Sequence, residues 1–173
     1  MPTRLTTYLL AALALAGCAT RPMPELVNLA DGTTVELSLG EECEREEADG
    51  RVALRGADGL VVTLQEVDAE HRETDGRRPR DVAAALALRM ELGEREGELS
   101  HLPCRVGGLD GECISGWMVR DDARYARSGV VFQAGSRIVW LDVAGPQARV
   151  ADVTARSQAL RESLHVRPGH ADG

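Results

Sequence analysis

The residues in this sequence that are best able to do chemistry are its cysteines and the histidines around them. His101 and Cys104 have an H-x-x-C spacing, and Cys113 follows in the same stretch. With Cys43 or His71 as a fourth ligand, these nitrogen and sulfur donors could form a zinc- or copper-like site. That spacing is common by chance, and no C-x-x-C or paired-histidine motif supports it. We therefore expect no metal and no other cofactor.

A disulfide between Cys104 and Cys113 is the other use of the same side chains. A two-residue turn at Gly108-Leu109 would place the two cysteines opposite each other on a hairpin, with Cα atoms about 4.5 Å apart. That separation is within disulfide range. A turn at Asp110-Gly111 is the stronger turn signal, but it would put a glycine opposite Cys113. We predict the Cys104–Cys113 bond; pairing of Cys43 with either cysteine, or reduced thiols throughout, stays open.

Catalytic signatures are missing from the sequence. It contains no GxSxG nucleophile motif, no HExxH zinc motif, no phosphate-binding loop and no dinucleotide fingerprint. Ser115 falls within a predicted strand and Ser136 within a predicted hairpin turn, and neither has a histidine partner that the sequence reveals. We therefore expect no catalytic residues. A small hydrolase, a thiol oxidoreductase that uses Cys43, and a metal-delivery protein are the alternatives.

The net charge of the chain indicates which classes of partner it does not bind. It has 28 acidic and 20 basic residues, and a formal net charge of −8. Because nucleic acids and acidic lipids both attract clustered cations, we expect no nucleic-acid partner and no electrostatic docking on lipid. The densest charged segments are the acidic residues 41–47 and the basic residues 77–80. We expect solvated loops there; both segments, and the turn carrying Cys104 and Cys113, are candidate protein contacts.

The N-terminus predicts the location of the protein. An apolar run over residues 9–16 is shorter than the roughly 20 residues of a transmembrane helix but suits a secretory signal. The segment Leu15-Ala16-Gly17-Cys18 resembles the lipobox of bacterial lipoproteins. This resemblance implies a signal peptide over residues 1–17 and acylation of Cys18, for example with palmitate. The acyl chains would anchor the protein in a bilayer, and Ala19 implies the outer membrane, with the protein facing the periplasm.

The rest of the chain divides into a tether, one domain and a tail. Residues 18–28 contain prolines and predict an extended tether, residues 29–167 a single α+β domain, and residues 168–173 a disordered tail. Within the domain, alternating apolar residues predict a strand from Val35 to Leu39. Asp58-Gly59 predicts a hairpin between the strands that flank it.

Helical spacing and turn signals predict the remaining elements. Pro79, together with Val82, Leu86 and Met90 at i, i+4 and i+8, predicts a helix. A meander of antiparallel strands follows, at residues 113–120, 124–133 and 137–143. Pro146 then begins a last helix with a heptad-like apolar stripe.

Two of the predicted strands, residues 60–67 and 138–143, are apolar on both faces and must be covered on both sides. Strands and helices in this order predict an α+β fold in which helices sandwich an antiparallel β-sheet. The element order, with Ser163-Leu164-His165-Val166 after the last helix, resembles the Mog1/PsbP-like α/β/α domains of small secreted lipoproteins. That resemblance implies a scaffold without a shared catalytic site.

The location and the fold class together predict a function class. We expect a membrane-anchored envelope lipoprotein that is not an enzyme and that acts as a binding or assembly accessory. Its expected partners are the lipid bilayer, through acylated Cys18, and another envelope protein whose identity the sequence does not reveal.

Overall fold

The structure, a computed structural model, describes residues 24–39, 43–48, 50–67, 78–91 and 96–169. The predicted signal peptide, Cys18, His71 and the first residue of the basic segment, Arg77, lie outside these ranges. In chain order the described residues form β1 (Glu25–Asn28), β2 (Thr34–Leu37), β3 (Cys43–Ala48), β4 (Arg51–Gly56), β5 (Val61–Glu66), α1 (Pro79–Glu91), β6 (Gly97–Val106), β7 (Leu109–Arg120), β8 (Ala123–Ala134), β9 (Arg137–Pro146), a short 3-10 helix (Gln147–Arg149), α2 (Val150–Ser163) and β10 (His165–Arg167).

A seven-stranded antiparallel sheet forms the centre of the molecule, in the order β3-β4-β5-β9-β8-β7-β6. The predicted hairpin is β4–β5, and the predicted meander is β7–β8–β9. Three short strands form a second sheet in the order β1-β2-β10. Its first strand, β1, occupies residues that the sequence assigned to the tether, so the folded part of the chain begins before residue 29.

The two faces of the large sheet are covered by different elements, as the predicted sandwich requires. In β8, Val130 and Phe132 belong to one apolar core, which also contains Leu160 of α2 and residues of the small sheet. Val131, between them, belongs to a second core with Val82 of α1. Because side chains alternate along a strand, the two cores lie on opposite faces. The α+β fold with helices on both sides of an antiparallel sheet is therefore confirmed.

The acidic segment differs from its prediction. Residues 43–48 are not a loop but the edge strand β3, which pairs with β4 from Cys43–Gly56 to Ala48–Arg51. All of its side chains after Cys43 are exposed, so the strand has no buried face and no apolar alternation that would reveal it. Charged side chains on an edge strand also oppose pairing with other chains. Glu41 and Glu42 lie outside the described residues.

The β6–β7 hairpin is also different from both predicted registers. Its two-residue turn is Gly107-Gly108, and both glycines have positive φ, at 53° and 84°. A type I′ turn needs positive φ at both central positions, which glycine adopts at little cost. The turn places Cys104 opposite Gly111 and Cys113 opposite Leu102. The cysteines are therefore diagonal neighbours rather than a directly opposed pair.

Candidate binding site

An open groove runs between α1 and β6. Its volume is about 580 Å³, and it is open to solvent. It is lined by Ala84, Ala87, Gly97, Glu98, Leu99, Ser100 and His101. Among the helix side chains that the structure describes, those in this lining are the alanines Ala84 and Ala87, which present small methyl groups to the groove.

The groove lies against an edge of the large sheet. Across the described part of the chain, β6 pairs with β7 alone. The N–H of Val119 donates to the carbonyl of Glu96 at 2.8 Å. The even-numbered residues of β6 therefore direct their backbone N–H and C=O groups toward β7. In an antiparallel ladder the intervening residues point their backbone groups the other way. Leu99 and His101 therefore direct their N–H and C=O groups outward, along the groove. Neither the turn signals nor the apolar periodicity of the sequence predicted that β6 is an edge strand.

Pro103 occupies one of these outward-facing positions. Proline has no N–H to donate, so within a sheet it is tolerated where the missing donor would have faced away from the neighbouring strand. Here it leaves the pairing of β6 with β7 intact, since Pro103 stands opposite Glu112 in a continuous register. It also interrupts the strip of outward-facing donors in β6, because the N–H of Arg105, on its other side, has the same outward direction.

A polar pair lies on the groove side of β6. His101 Nδ1 is 3.3 Å from Glu112 Oε2 on β7. The Glu112 side chain is 8% exposed, whereas that of His101 is 26% exposed. Glu112 is therefore largely buried, and the more exposed histidine ring is in contact with its carboxylate. The sequence placed His101 in a hypothetical metal site, but in the structure it bonds to this carboxylate.

Cys104 and Cys113 form the predicted disulfide, with their Cα atoms 5.7 Å apart. The bond lies on the face of the β6–β7 hairpin opposite the groove. Arg161 of α2 contacts it there, with Nη1 2.7 Å from Cys113 Sγ. The Gly107 N–H donates to the Arg161 carbonyl at 2.9 Å. The disulfide and these two contacts tie the hairpin to the end of α2 and hold the edge strand in place.

Cys43 is distant from the disulfide, because β3 and β6 are opposite edges of the large sheet. A fourth ligand from Cys43 is thus not brought to His101. In the ranges that the structure covers, no group of three or more histidine, cysteine, aspartate or glutamate side chains could hold a metal ion.

The three candidate contact regions do not form one surface. Glu44, Glu46 and Glu47 lie on β3, and the cysteine turn lies at the other edge of the sheet. The basic segment begins α1, where the Arg78 N–H donates to Asp81 Oδ2 at 3.0 Å. Of these regions, only the segment at α1 and the hairpin of β6 are next to the groove elements.

A buried ion pair on the face of the large sheet that packs against α1 was not predicted. Arg127 Nε donates to Asp142 Oδ2 at 2.9 Å, and the aspartate side chain is 3% exposed. The guanidinium also lies 4.7 Å from the centre of the Trp140 ring and contacts Met118 Sδ at 3.0 Å. Burial raises the pKa of Asp142, and the charge of Arg127 opposes that rise. The single acidic residue in the apolar strand around Trp140 was the signal available in the sequence.

The two serines considered for catalysis take part in structural contacts. Ser136 donates to Asp31 Oδ2 through its N–H and its hydroxyl, both at 2.8 Å. The Thr33 N–H donates to Asp31 Oδ1 at 3.0 Å. Partial burial alone would raise the pKa of Asp31, but these hydrogen bonds outweigh it and lower the pKa to about 2. Ser115 accepts a hydrogen bond from the Ser100 hydroxyl through its carbonyl, at 3.2 Å.

Comparison with known proteins identifies the fold. Cyanobacterial PsbP (CyanoP) from Synechocystis matches with a TM-score of 0.55 and 13% identity, over 84% of this chain and 93% of that one. The chain has a PsbP-like fold. LpqN from Mycobacterium tuberculosis, which is involved in cell envelope biogenesis, matches with a TM-score of 0.53 and 11% identity, over 84% and 91% of the two chains. PA94 from Pseudomonas aeruginosa, a protein of unknown function, matches with a TM-score of 0.52 and 12% identity, over 84% of this chain and 99% of that one.

These similarities support the predicted Mog1/PsbP-like fold and, at such low identities, nothing beyond the fold. No protein-family model matches the chain, and no curated protein sequence matches it. Within the residues that the structure covers, no helix is long and apolar enough to cross a membrane.

Proposed function

We propose that this chain is a lipoprotein of the bacterial outer membrane, anchored through acylated Cys18, and that its PsbP-like domain binds another envelope protein without catalysing a reaction. The lipobox-like segment at residues 15–18 supports the anchor. The Cys104–Cys113 bond supports export, because disulfides form and persist in oxidising compartments such as the periplasm.

The observation that carries the binding role is the groove between α1 and β6. The groove has an open volume of about 580 Å³. It lies beside the outer edge of β6, the edge that does not pair with β7. The hairpin that bears this edge is tied to α2 through the disulfide and Arg161. A rigid concave surface of this kind suits recognition, because little conformational freedom is lost when a partner binds.

Site-specific photo-crosslinking in intact cells tests this role. A photo-reactive amino acid replaces Ala84, which is exposed in the groove. The matched control replaces Ala155, an exposed alanine on α2 on the other face of the sheet. We expect irradiation to join the Ala84 variant to one envelope protein, identified by mass spectrometry, and to leave the Ala155 variant largely unjoined.

Two outcomes would count against the proposed binding role. One is the absence of a crosslinked species from Ala84 when the protein is correctly located and folded. The other is the same set of crosslinked proteins from both positions, since that would reflect random collision at the membrane rather than binding in the groove.

A further inference from the structure

We infer that the partner binds as an extended peptide segment that adds an eighth strand to the large sheet along β6, and that this segment alternates small apolar residues with arginine or lysine. The inference rests on the proposed binding role and specifies the chemistry of the partner. Three observations carry it: the outward-facing backbone groups of β6, the shape of the groove, and the charge on its rim.

The backbone of β6 offers an unused hydrogen-bonding edge. Leu99 and His101 point their N–H and C=O groups away from β7, as the Glu96–Val119 hydrogen bond and the continuous register require. An extended peptide can satisfy these groups with its own backbone, and main-chain hydrogen bonds then provide much of the affinity. Pro103 interrupts the strip, and we infer that the peptide pairs with the part of β6 before it, from Gly97 to Leu102.

The groove determines which peptide side chains are small and apolar. Residues directly opposite each other in a sheet share a face. Peptide residues that bond to Leu99 and His101 therefore direct their side chains toward α1. There they meet the alanine-lined space beside Ala84 and Ala87. Alanine or valine side chains suit a space that is bounded by methyl groups.

The charge on the rim determines the alternate residues. Peptide residues between those that bond to β6 face the other side of the sheet, next to Glu98, which is exposed. No ion pair to Glu98 occurs in the part of the chain that the structure describes. A basic side chain placed there gains a charge partner, and the net charge of −8 attracts basic segments over a longer range.

A second copy of the chain is a less suitable occupant. Each copy carries the same net charge of −8, so two copies repel each other at low salt. The edge strand also carries Pro103, which removes one outward donor from each copy. Such features oppose pairing between identical edges, whereas a basic peptide carries the opposite charge and brings no second proline.

A synthetic peptide tests the inference on the full mature chain purified in detergent. The probe is a short peptide, blocked at both ends, in which arginine alternates with valine. In the expected pairing, valine nitrogens face β6 and arginine nitrogens face solvent. N-methylation of the valine nitrogens should weaken binding by at least about tenfold. N-methylation of the arginine nitrogens is the matched control and should leave binding nearly unchanged, as measured by calorimetry.

Substitutions in β6 of the protein test the same pairing without changing the peptide. His101→Pro removes one outward N–H, while His101→Ala removes the same imidazole and keeps that N–H. We expect at least about tenfold weaker binding for His101→Pro than for His101→Ala, and weaker binding for Glu98→Arg than for the parent protein. Circular dichroism checks the fold of each variant. If His101→Pro does not fold, the methylated peptides still decide the question with the unmodified protein.

The inference fails if both methylated peptides bind equally well, if the unmethylated peptide does not bind, or if the protein is a dimer that His101→Pro dissociates. Its failure is separable from that of the proposed function. Crosslinking from Ala84 that survives His101→Pro would show a partner in the groove that does not add as a strand. The absence of crosslinking from Ala84 in the parent protein would contradict the binding role itself.

Discussion

Arg127 and Asp142 form the most buried ion pair in the part of the chain described, and its partners explain why it can exist there. Asp142 loses hydration in the sheet, and burial raises its pKa against the pull of Arg127. The guanidinium is in turn held against the ring of Trp140 at 4.7 Å. The sequence reveals a lone acid in an apolar strand, but its partner is 15 residues away. Only the register of β8 on β9 brings the two together, and the sequence does not specify that register.

Asp31 shows the same limit on prediction from sequence. The Asp31-Gly32 pair is visible as a turn signal, and Gly32 has the positive φ, 81°, that such a turn uses. Its second partner is Ser136, which is 105 residues away in the β8–β9 turn. Such a contact links the start of the domain to the meander and cannot be deduced from local patterns.

Asp31 should make stability depend on pH in the acid range. Its folded-state pKa is lowered from 3.8 to about 2, so its contribution is complete above the unfolded value and is lost as pH falls toward 2. Because the side chain is partly solvated, we expect Asp31→Asn to lower the free energy of unfolding by about 1 kcal/mol at neutral pH. Urea unfolding at several pH values measures this difference.

The difference between parent and Asp31→Asn should narrow as pH falls from 4 toward 2. A difference that stays constant over this range would contradict the assignment, because it would mean that the charge of Asp31 contributes nothing. Asp110→Asn, at an exposed position in β7, is the control for a surface carboxylate that is not held by backbone donors.

At the scale of elements, the β6–β7 hairpin shows how a correct contact can follow from an incorrect register. The sequence predicted the Cys104–Cys113 bond from a turn at residues 108–109, whereas the turn is Gly107-Gly108. The bond forms on the diagonal, with a Cα separation of 5.7 Å. The right-handed twist between adjacent strands brings one diagonal pair closer than the other, and the prediction treated the two strands as flat.

Removal of the disulfide should destabilise the domain without changing its fold. We expect the double variant Cys104→Ser/Cys113→Ser to lose about 2–3 kcal/mol of unfolding free energy, since the bond closes a short loop in the unfolded chain. Cys43→Ser, on β3 at the other edge of the sheet, is the matched control. Urea unfolding followed by circular dichroism measures both. An unchanged unfolding midpoint for the double variant would show that the bond does not constrain the chain.

The two edge strands of the large sheet, β3 and β6, were not predicted as edge strands from the sequence. The β3 side chains after Cys43 are exposed, and β6 contains a proline and exposed polar residues. Secondary-structure patterns depend on one face being buried, and both edges lack such a continuous face. Arg45 nevertheless fixes β3, because Nη1 bonds to Glu25 Oε2 and to the Leu26 carbonyl, both at 3.1 Å. That contact links the two sheets.

At the scale of the whole molecule, composition and order were enough to predict the α+β sandwich. The strands β5 and β9 are central and adjacent, and their apolar residues on both faces are visible in the sequence. The helices begin near the predicted positions, at Pro79 and just after Pro146. The groove was not predictable, because it depends on where α1 lies relative to an edge strand that has no sequence signature.

The anchor and the groove belong to one proposal about the whole protein. A domain that recognises extended segments near a membrane needs to be held there, and acyl chains at Cys18 would do so through a short connection to β1. The strand edge would then sample segments of other envelope proteins at high local concentration. The class of partner depends on the anchor, because only a protein held at the membrane meets other envelope proteins in this way.

Intact mass spectrometry of the protein purified from its native membrane tests whether Cys18 is the anchor. We predict a mature chain that begins at Cys18, carries acyl groups on that residue, and contains the Cys104–Cys113 disulfide in peptides mapped without reduction. A chain that retains its first residues, or one that begins elsewhere with an unmodified Cys18, would contradict the proposed location and with it the envelope partner.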